Sequence, residues 1–284
     1  MKIFIAVDME GATGVVHPDQ LMPDGRGYAA AQRMLTTDVQ AVIQGILDES
    51  PNAEIVVGEG HAIMRNVLLD EMPEQASVVV GPARPENKPL CQLEGLDSSF
   101  DGLFLVGYHA MAGRQQGLLA HTYVGSLVHS FELNGRQVGE VEVNAAIAGS
   151  MGVPLALVAG NSDLAEEMAF APWTTFVSTK QVLGPTAAIC LPPKRTAKLL
   201  RENAASAVRS IVQHHAPPYV VQCPISMRIT MHRRDQATRA AGGGGVTVIG
   251  DRAIEARGDD AAEVFRTIWR ALCLAMAEHP TWLQ

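Results

Sequence analysis

No apolar run in this 284-residue chain approaches the ~18–20 residues that a membrane span needs. A transmembrane protein is therefore not expected. The N-terminus does not read as a secretory signal either. One lysine precedes a short apolar run that stops at Asp8 and Glu10, and no small-residue cleavage site follows. Cysteine is scarce: Cys91, Cys190, Cys223 and Cys273 are far apart and form no CxxC pair. They read as free, mostly buried thiols, which fits a cytoplasmic location. Positive charge is in deficit, with a net charge of -8, and this argues against nucleic acid as a partner. A phosphate cradle is also missing. Gly242–Gly245 lacks the Lys-Ser/Thr of a P-loop, and Gly11 and Gly14 do not make a GxGxxG. The chain has no internal repeat and no long low-complexity segment.

Hydrophobic residues make up 47% of the chain, enough for a sizeable core. Lys2–Val7, Glu54–Val57, Ser77–Val80, Leu103–Val106 and Pro154–Ala159 are short apolar runs that read as strands. Between the first two, Val39, Val42, Ile43, Ile46 and Leu47 form the stripe of a helix, which Ser50-Pro51-Asn52 ends. A short helix is expected around Ile63–Met72. Continuous apolar runs alternating with helices predict strands buried on both faces, as in a mostly parallel sheet. Asn134-Gly135, between Ser130–Leu133 and Gln137–Val143, predicts a hairpin with a type I′ turn. A helix is expected to start near Glu142 or Asn144.

Pro185 and Pro192-Pro193 mark a change of pattern. Leu200, Ala204, Val208, Ile211 and Val212 make a helical stripe. Ile225, Met227, Ile229 and Met231 alternate with polar residues, as in a half-exposed strand. Val246–Ile249 and Ala253–Ala256 read as short strands, and residues 264–276 as an amphipathic helix. The expected architecture is α/β: a Rossmann-like, mostly parallel domain over 1–185 and a smaller α+β domain over 186–284, the latter contributing to oligomer contacts.

Three apolar strands run into a strong metal ligand: Asp8, His61 and His109. Parallel strands place such residues at one sheet edge, where open α/β sheets bind ligands. Histidine with carboxylate suits zinc or another first-row divalent ion. In Asp8-Met9-Glu10 the two acids leave an extended chain on the same side and repel each other unless a cation lies between them. With its two oxygens, Asp8 can bridge two ions. Glu140, just after the hairpin, can supply a ligand from another direction. Arg114 and Asn161 lie on loops near strand ends and are candidates for lining the pocket. His17, His129, His214, His215, His232 and His279 read as structural, and Arg233-Arg234 as a solvated or intersubunit pair.

The chain also resembles a known family. Val7-Asp8-Met9-Glu10-Gly11, Gly107-Tyr108-His109-Ala110, Gly117 through His121-Thr122, and Asn134-Gly135 with Val138-Gly139-Glu140 and Asn144-Ala145 are similar, in order, to motifs of the D-aminopeptidase (DppA) metallopeptidases. The resemblance runs over almost the whole chain. It implies two zinc ions per subunit, one held by Asp8, Glu10 and His61 and the other by Asp8, His109 and Glu140. It implies that His121 is the catalytic histidine, as general base, general acid, oxyanion donor or nucleophile. It further implies a cytoplasmic aminopeptidase that removes N-terminal D-residues such as D-Ala from short peptides, assembled as a homodecamer. Hydrolysis of another amide or an ester, and a non-catalytic metal- or peptide-binding relative, are the alternative readings.

Overall fold

A computed structural model describes residues 1–276. Its first sheet contains β1 (Lys2–Val7), β2 (Glu54–Glu59), β3 (Ala76–Val79), β4 (Gly102–Tyr108), β7 (Leu155–Asn161), β8 (Thr175–Gly184) and β9 (Ala187–Cys190). The order is β3-β2-β1-β4-β7-β8-β9. Every neighbouring pair is parallel except β8–β9. The chain thus winds outward through β2 and β3, then returns to add β4 on the other side of β1. The sheet reverses direction between β1 and β4, and the crevice outside their carboxyl ends is where such sheets bind ligands.

Alternation along β1 builds the two faces. Ile3, Ile5 and Val7 join the core under α1 (Tyr28–Glu49) and α3 (Pro193–Val212), which pack on each other. Phe4 and Ala6 join the opposite core with α2 (Glu140–Ser150) and α5 (Ala261–Met276). All these strand residues are fully buried, as a sheet covered on both faces requires. A second, antiparallel sheet packs beyond α5, in the order β11 (Thr247–Ile249), β12 (Ala253–Gly258), β10 (Ile225–Met231), β5 (Val128–Leu133), β6 (Arg136–Gln137). The remaining helix, α4 (Arg234–Ala241), follows β10 and packs on α5. Among the described residues no helix is long and apolar enough to cross a membrane.

Chain order and sheet membership differ from the expected split at residue 185. The β5–β6 hairpin, early in the chain, pairs with β10. Conversely α3, from the later segment, packs on α1 over the first sheet. Three local expectations also need correction. Residues 63–72 form turns with a 3-10 segment only at Leu69–Glu71. The Glu59 carboxylate accepts the backbone N–H groups of Asn66 and Val67, at 2.7 and 2.5 Å, which diverts them from helical bonding. The strand expected over 137–143 is two residues long, and α2 begins at Glu140. Residues Glu140 to Gly149 are all buried, so that stretch carries no helical periodicity to read. The cysteines are not mostly buried: Cys91 is, whereas Cys190 and Cys223 are exposed. All four are free thiols.

The ends of β1 and β4 are locked backbone to backbone. Gly11 N–H donates to Gly107 O at 2.7 Å, and Asp8 N–H to Val106 O at 2.9 Å. A Cβ on Gly11 would lie 1.9 Å from Tyr108 O, so only glycine permits this approach. Gly14, at φ 75°, has open space instead. Gly11→Ala is expected to lower unfolding stability by about 3 kcal/mol or more. Gly14→Ala should cost only about 1–2 kcal/mol, the left-handed penalty. Urea midpoints of the two variants check this ordering.

Candidate metal centre

Asp8 and His109 follow β1 and β4 directly and His61 follows β2 after Gly60, so the sheet delivers all three to one edge. Glu10 stands two residues further along the loop after β1. Glu140 opens α2 and enters from the opposite side. All five are buried. The two oxygens of Asp8 are divided: Oδ1 lies 3.2 Å from His61 Nδ1, and Oδ2 lies 3.2 Å from His109 Nε2. His61 Nδ1 is also 3.1 Å from Glu10 Oε2, and His109 Nε2 is 3.5 Å from Glu140 Oε1. Two groups capable of holding an ion result, Asp8–Glu10–His61 and Asp8–His109–Glu140, with donor atoms within 4.8 Å of one another in each. They share Asp8. A third such group joins Glu10, His109 and His121.

The far nitrogen of each imidazole is committed elsewhere. His61 Nε2 lies 2.8 Å from Leu21 O, His109 Nδ1 2.9 Å from Ala110 O, and His121 Nδ1 2.9 Å from Leu119 O. A carbonyl accepts only, so those nitrogens carry the hydrogens, and His61 Nδ1 and His109 Nε2 are left to face the carboxylates. Glu10 Oε2 and His109 Nε2 come within ion-pair distance of neighbours yet make no hydrogen bond of acceptable direction. Buried polar atoms that converge without bonding fit a cation lying between them. A set of imidazole nitrogens and carboxylate oxygens fits zinc.

Without an ion, protons compete for the same place. Burial opposes charge on His61 and His109, but Glu10, Asp8 and Glu140 prevail and hold both imidazoles well above their ordinary pKa. Burial likewise opposes charge on Asp8, yet His109 and His61 hold its carboxyl well below the usual range. Without a metal the cluster therefore holds its imidazolium protons more tightly than free histidines would.

His121 differs from the ligand candidates. Its ring stacks on that of His109, with centroids 4.1 Å apart and planes within 11°. Its side chain is 26% exposed, against 1% for His109, so a substrate can reach it. Its Nε2 lies 3.9 Å from Glu10 Oε1. Left-handed backbone at Ala62, Met64, Cys91, Leu119 and Tyr123 surrounds these side chains, each residue close in sequence to His61, Gln92 or His121. Such strain persists where surrounding contacts over-determine the chain.

Several supporting residues carry no sequence motif. Gln92 Nε2 donates to Glu140 Oε2 at 2.5 Å, while its Oε1 accepts from Tyr108 OH and Asn144 Nδ2. Tyr123 N–H donates to Glu140 Oε1 at 2.6 Å. Asn66 ties Glu59 to His61 O, and Tyr28 OH donates to Asn66. Arg114 lines a cleft of about 160 Å³ with Met111, Gly139 and Glu167, and pairs with Glu166 at 2.7 Å. Asn161 is fully buried and donates to Leu118 O, bracing the loop before His121. Arg233 pairs with Asp235 within its own chain. The other histidines join no metal-competent group among the described residues, and His279 lies outside them.

A mostly parallel sheet with a histidine–carboxylate cluster at its reversal point, and an accessible histidine beside it, is the architecture of an α/β metal-dependent hydrolase. The comparisons with known proteins give the family. A family profile described as D-aminopeptidase matches residues 1–270. A D-aminopeptidase of Bacillus subtilis (strain 168) is 32% identical over 213 residues, 74% of either chain. The solved structure of the Zn-dependent D-aminopeptidase DppA from Bacillus subtilis, described as a self-compartmentalizing protease, superposes with a TM-score of 0.90. That likeness covers 99% of this chain and 100% of the other at 26% identity. The chain belongs to the D-aminopeptidase family.

Zinc requires the lone pairs that protons occupy in the metal-free cluster. Uptake is expected to release up to two protons, one each from His61 and His109. Because both pKa values are raised, apparent zinc affinity should fall as pH drops, starting above the ordinary histidine range. Calorimetric titration in buffers of different ionisation enthalpy measures the number released, and a value of zero at neutral pH contradicts the assignment.

Proposed function

We propose that this chain is a zinc aminopeptidase that releases an N-terminal D-residue, such as D-Ala, from short peptides or amides. In this reading two ions are bound per subunit: one by Asp8, Glu10 and His61, the other by Asp8, His109 and Glu140. The observation that carries it is the division of the two Asp8 oxygens between His61 and His109, which suits Asp8 to bridge two ions. Family membership and the likeness to a zinc-dependent relative support the metal and the peptide substrate. When bound, paired zinc ions supply Lewis acidity that polarises a carbonyl and acidifies water.

The chain's own residues then handle orientation and protons. Buried and braced, Gln92 and the Tyr123 N–H fix Glu140. The Leu119 carbonyl accepts the Nδ1 hydrogen of His121, which turns Nε2 toward Glu10 and the cluster. In our reading His121 is the general base: Nε2 takes a proton from the attacking water, then hands it to the leaving amine. Donation to an oxyanion would require a proton already on Nε2. Self-compartmentalization of the solved relative supports assembly of this chain into a closed homo-oligomer, a decamer in our reading; a cytoplasmic location belongs to the same reading.

Hydrolysis of D-alanyl and L-alanyl dipeptides and amides tests the proposal, with zinc content measured on the same samples. Expected are D-selective, chelator-sensitive release of the N-terminal residue and two zinc per chain. Asp8→Ala should lose both ions. His121→Ala should keep both and lose turnover by about 10²–10⁴-fold. Full activity in His121→Ala would remove its role, and two bound metals without peptide cleavage would redirect the substrate class to other amides or esters.

A further inference from the structure

Glu10 does not sit on a strand. It lies on the loop after β1, which crosses over the ends of β4 and β7 and reaches β8. There its backbone meets two adjacent residues. Lys180 Nζ donates to Glu10 O at 3.0 Å and to Ala12 O at 2.6 Å. Thr179 Oγ1 donates to Gly11 O, between them, at 2.6 Å. Three consecutive carbonyls are thus held by two consecutive side chains. Both side chains are buried, Lys180 at 1% exposure and Thr179 at 0%.

Adjacent residues of a regular strand point to opposite faces and could not share one target. Here the register of β7 against β8 slips: Gly160 faces Ser178, but Asn161 faces Lys180, leaving Thr179 as the extra residue of a bulge. A bulge re-aims side chains, and this one turns both donors to the same loop. An ammonium is costly to bury, and its first contacts are carbonyls with no carboxylate among them. Both hydrogen bonds of the Lys180 ammonium go to the Glu10 loop. Asp38 on α1 completes the restraint, accepting from Thr13 N–H at 2.7 Å and Thr13 Oγ1 at 2.8 Å. Asp8, by contrast, is fixed by β1 itself through its N–H bond to Val106 O.

We propose that Thr179 and Lys180, brought together by the β8 bulge, are positioning residues that set Glu10 for the ion it would hold with His61, and not for the ion between His109 and Glu140. This rests on the two-ion reading above. The geometry predicts an asymmetric effect. Releasing the loop moves Glu10 while β1, β4 and α2 keep Asp8, His109 and Glu140 in place.

The test is competition of a zinc chelator with purified full-length protein, reading stoichiometry and the affinity of each ion, with circular dichroism and oligomer size as checks on folding. Lys180→Met and Thr179→Val should each weaken one of the two ions by about 10–100-fold, the range for groups that orient metal ligands. Both should resemble Glu10→Gln and differ from Glu140→Gln in which ion remains. Thr179→Ser keeps the hydroxyl and should restore wild-type affinity, a rescue that serves if Lys180→Met fails to fold. Two ions of wild-type affinity in folded Thr179→Val, or equal weakening of both, would overturn the clamp alone. Fewer than two zinc on the wild-type chain would overturn the two-ion reading and the clamp with it.

Discussion

Mutual repulsion among Asp8, Glu10 and Glu140, buried together at the reversal point of the sheet, is the constraint on which the rest of the site depends. In the Asp8–Glu10–His61 group the facing donor atoms lie within 4.8 Å, where two like charges repel by on the order of 3 kcal/mol at an effective dielectric near 20. Desolvation adds to that cost. A protein tolerates such a cluster only where positive charge enters it. Protons on His61 and His109 offset part of the repulsion, and divalent zinc fits the converging donors better, which is why raised histidine pKa values and an unbonded Glu10 oxygen occur together.

Holding such groups in place demands a rigid frame, and the fold supplies it at the backbone level. Gly11 rests against Tyr108 O with no room for a Cβ, joining the β1 and β4 ends across the crevice. Around them, carbonyls of Leu21, Ala110 and Leu119 set the imidazole tautomers, and left-handed residues at Ala62, Met64, Leu119 and Tyr123 bend the loops to deliver them. The reactive edge combines strain with many hydrogen bonds, whereas the two apolar cores on either side of the sheet carry the burial that stabilises the whole.

Much of this was readable before the structure. Asp8, His61 and His109 stand at the ends of apolar runs, and parallel strands leave one edge for all three. Glu140 is a candidate from its place just after the hairpin and gains its ligand role from family resemblance, whereas His121 is legible only through that resemblance, because a histidine in a loop has no local signature. The helix expected over 63–72 failed for a tertiary reason: Glu59 captures the N–H groups that a helix would use. The start of α2 was misplaced because a helix buried on every side shows no period. Gln92 acts through hydrogen bonds to Glu140, and Thr179 through a bulge in a parallel register; neither is encoded by spacing along the chain.

Anomalous diffraction at the zinc edge, on crystals of the zinc-loaded protein, tests the central claim most directly. Two peaks per chain about 3.5–4 Å apart, the usual spacing of two-metal sites, with Asp8 between them, are predicted. A single peak, or peaks that do not share Asp8, would contradict the account.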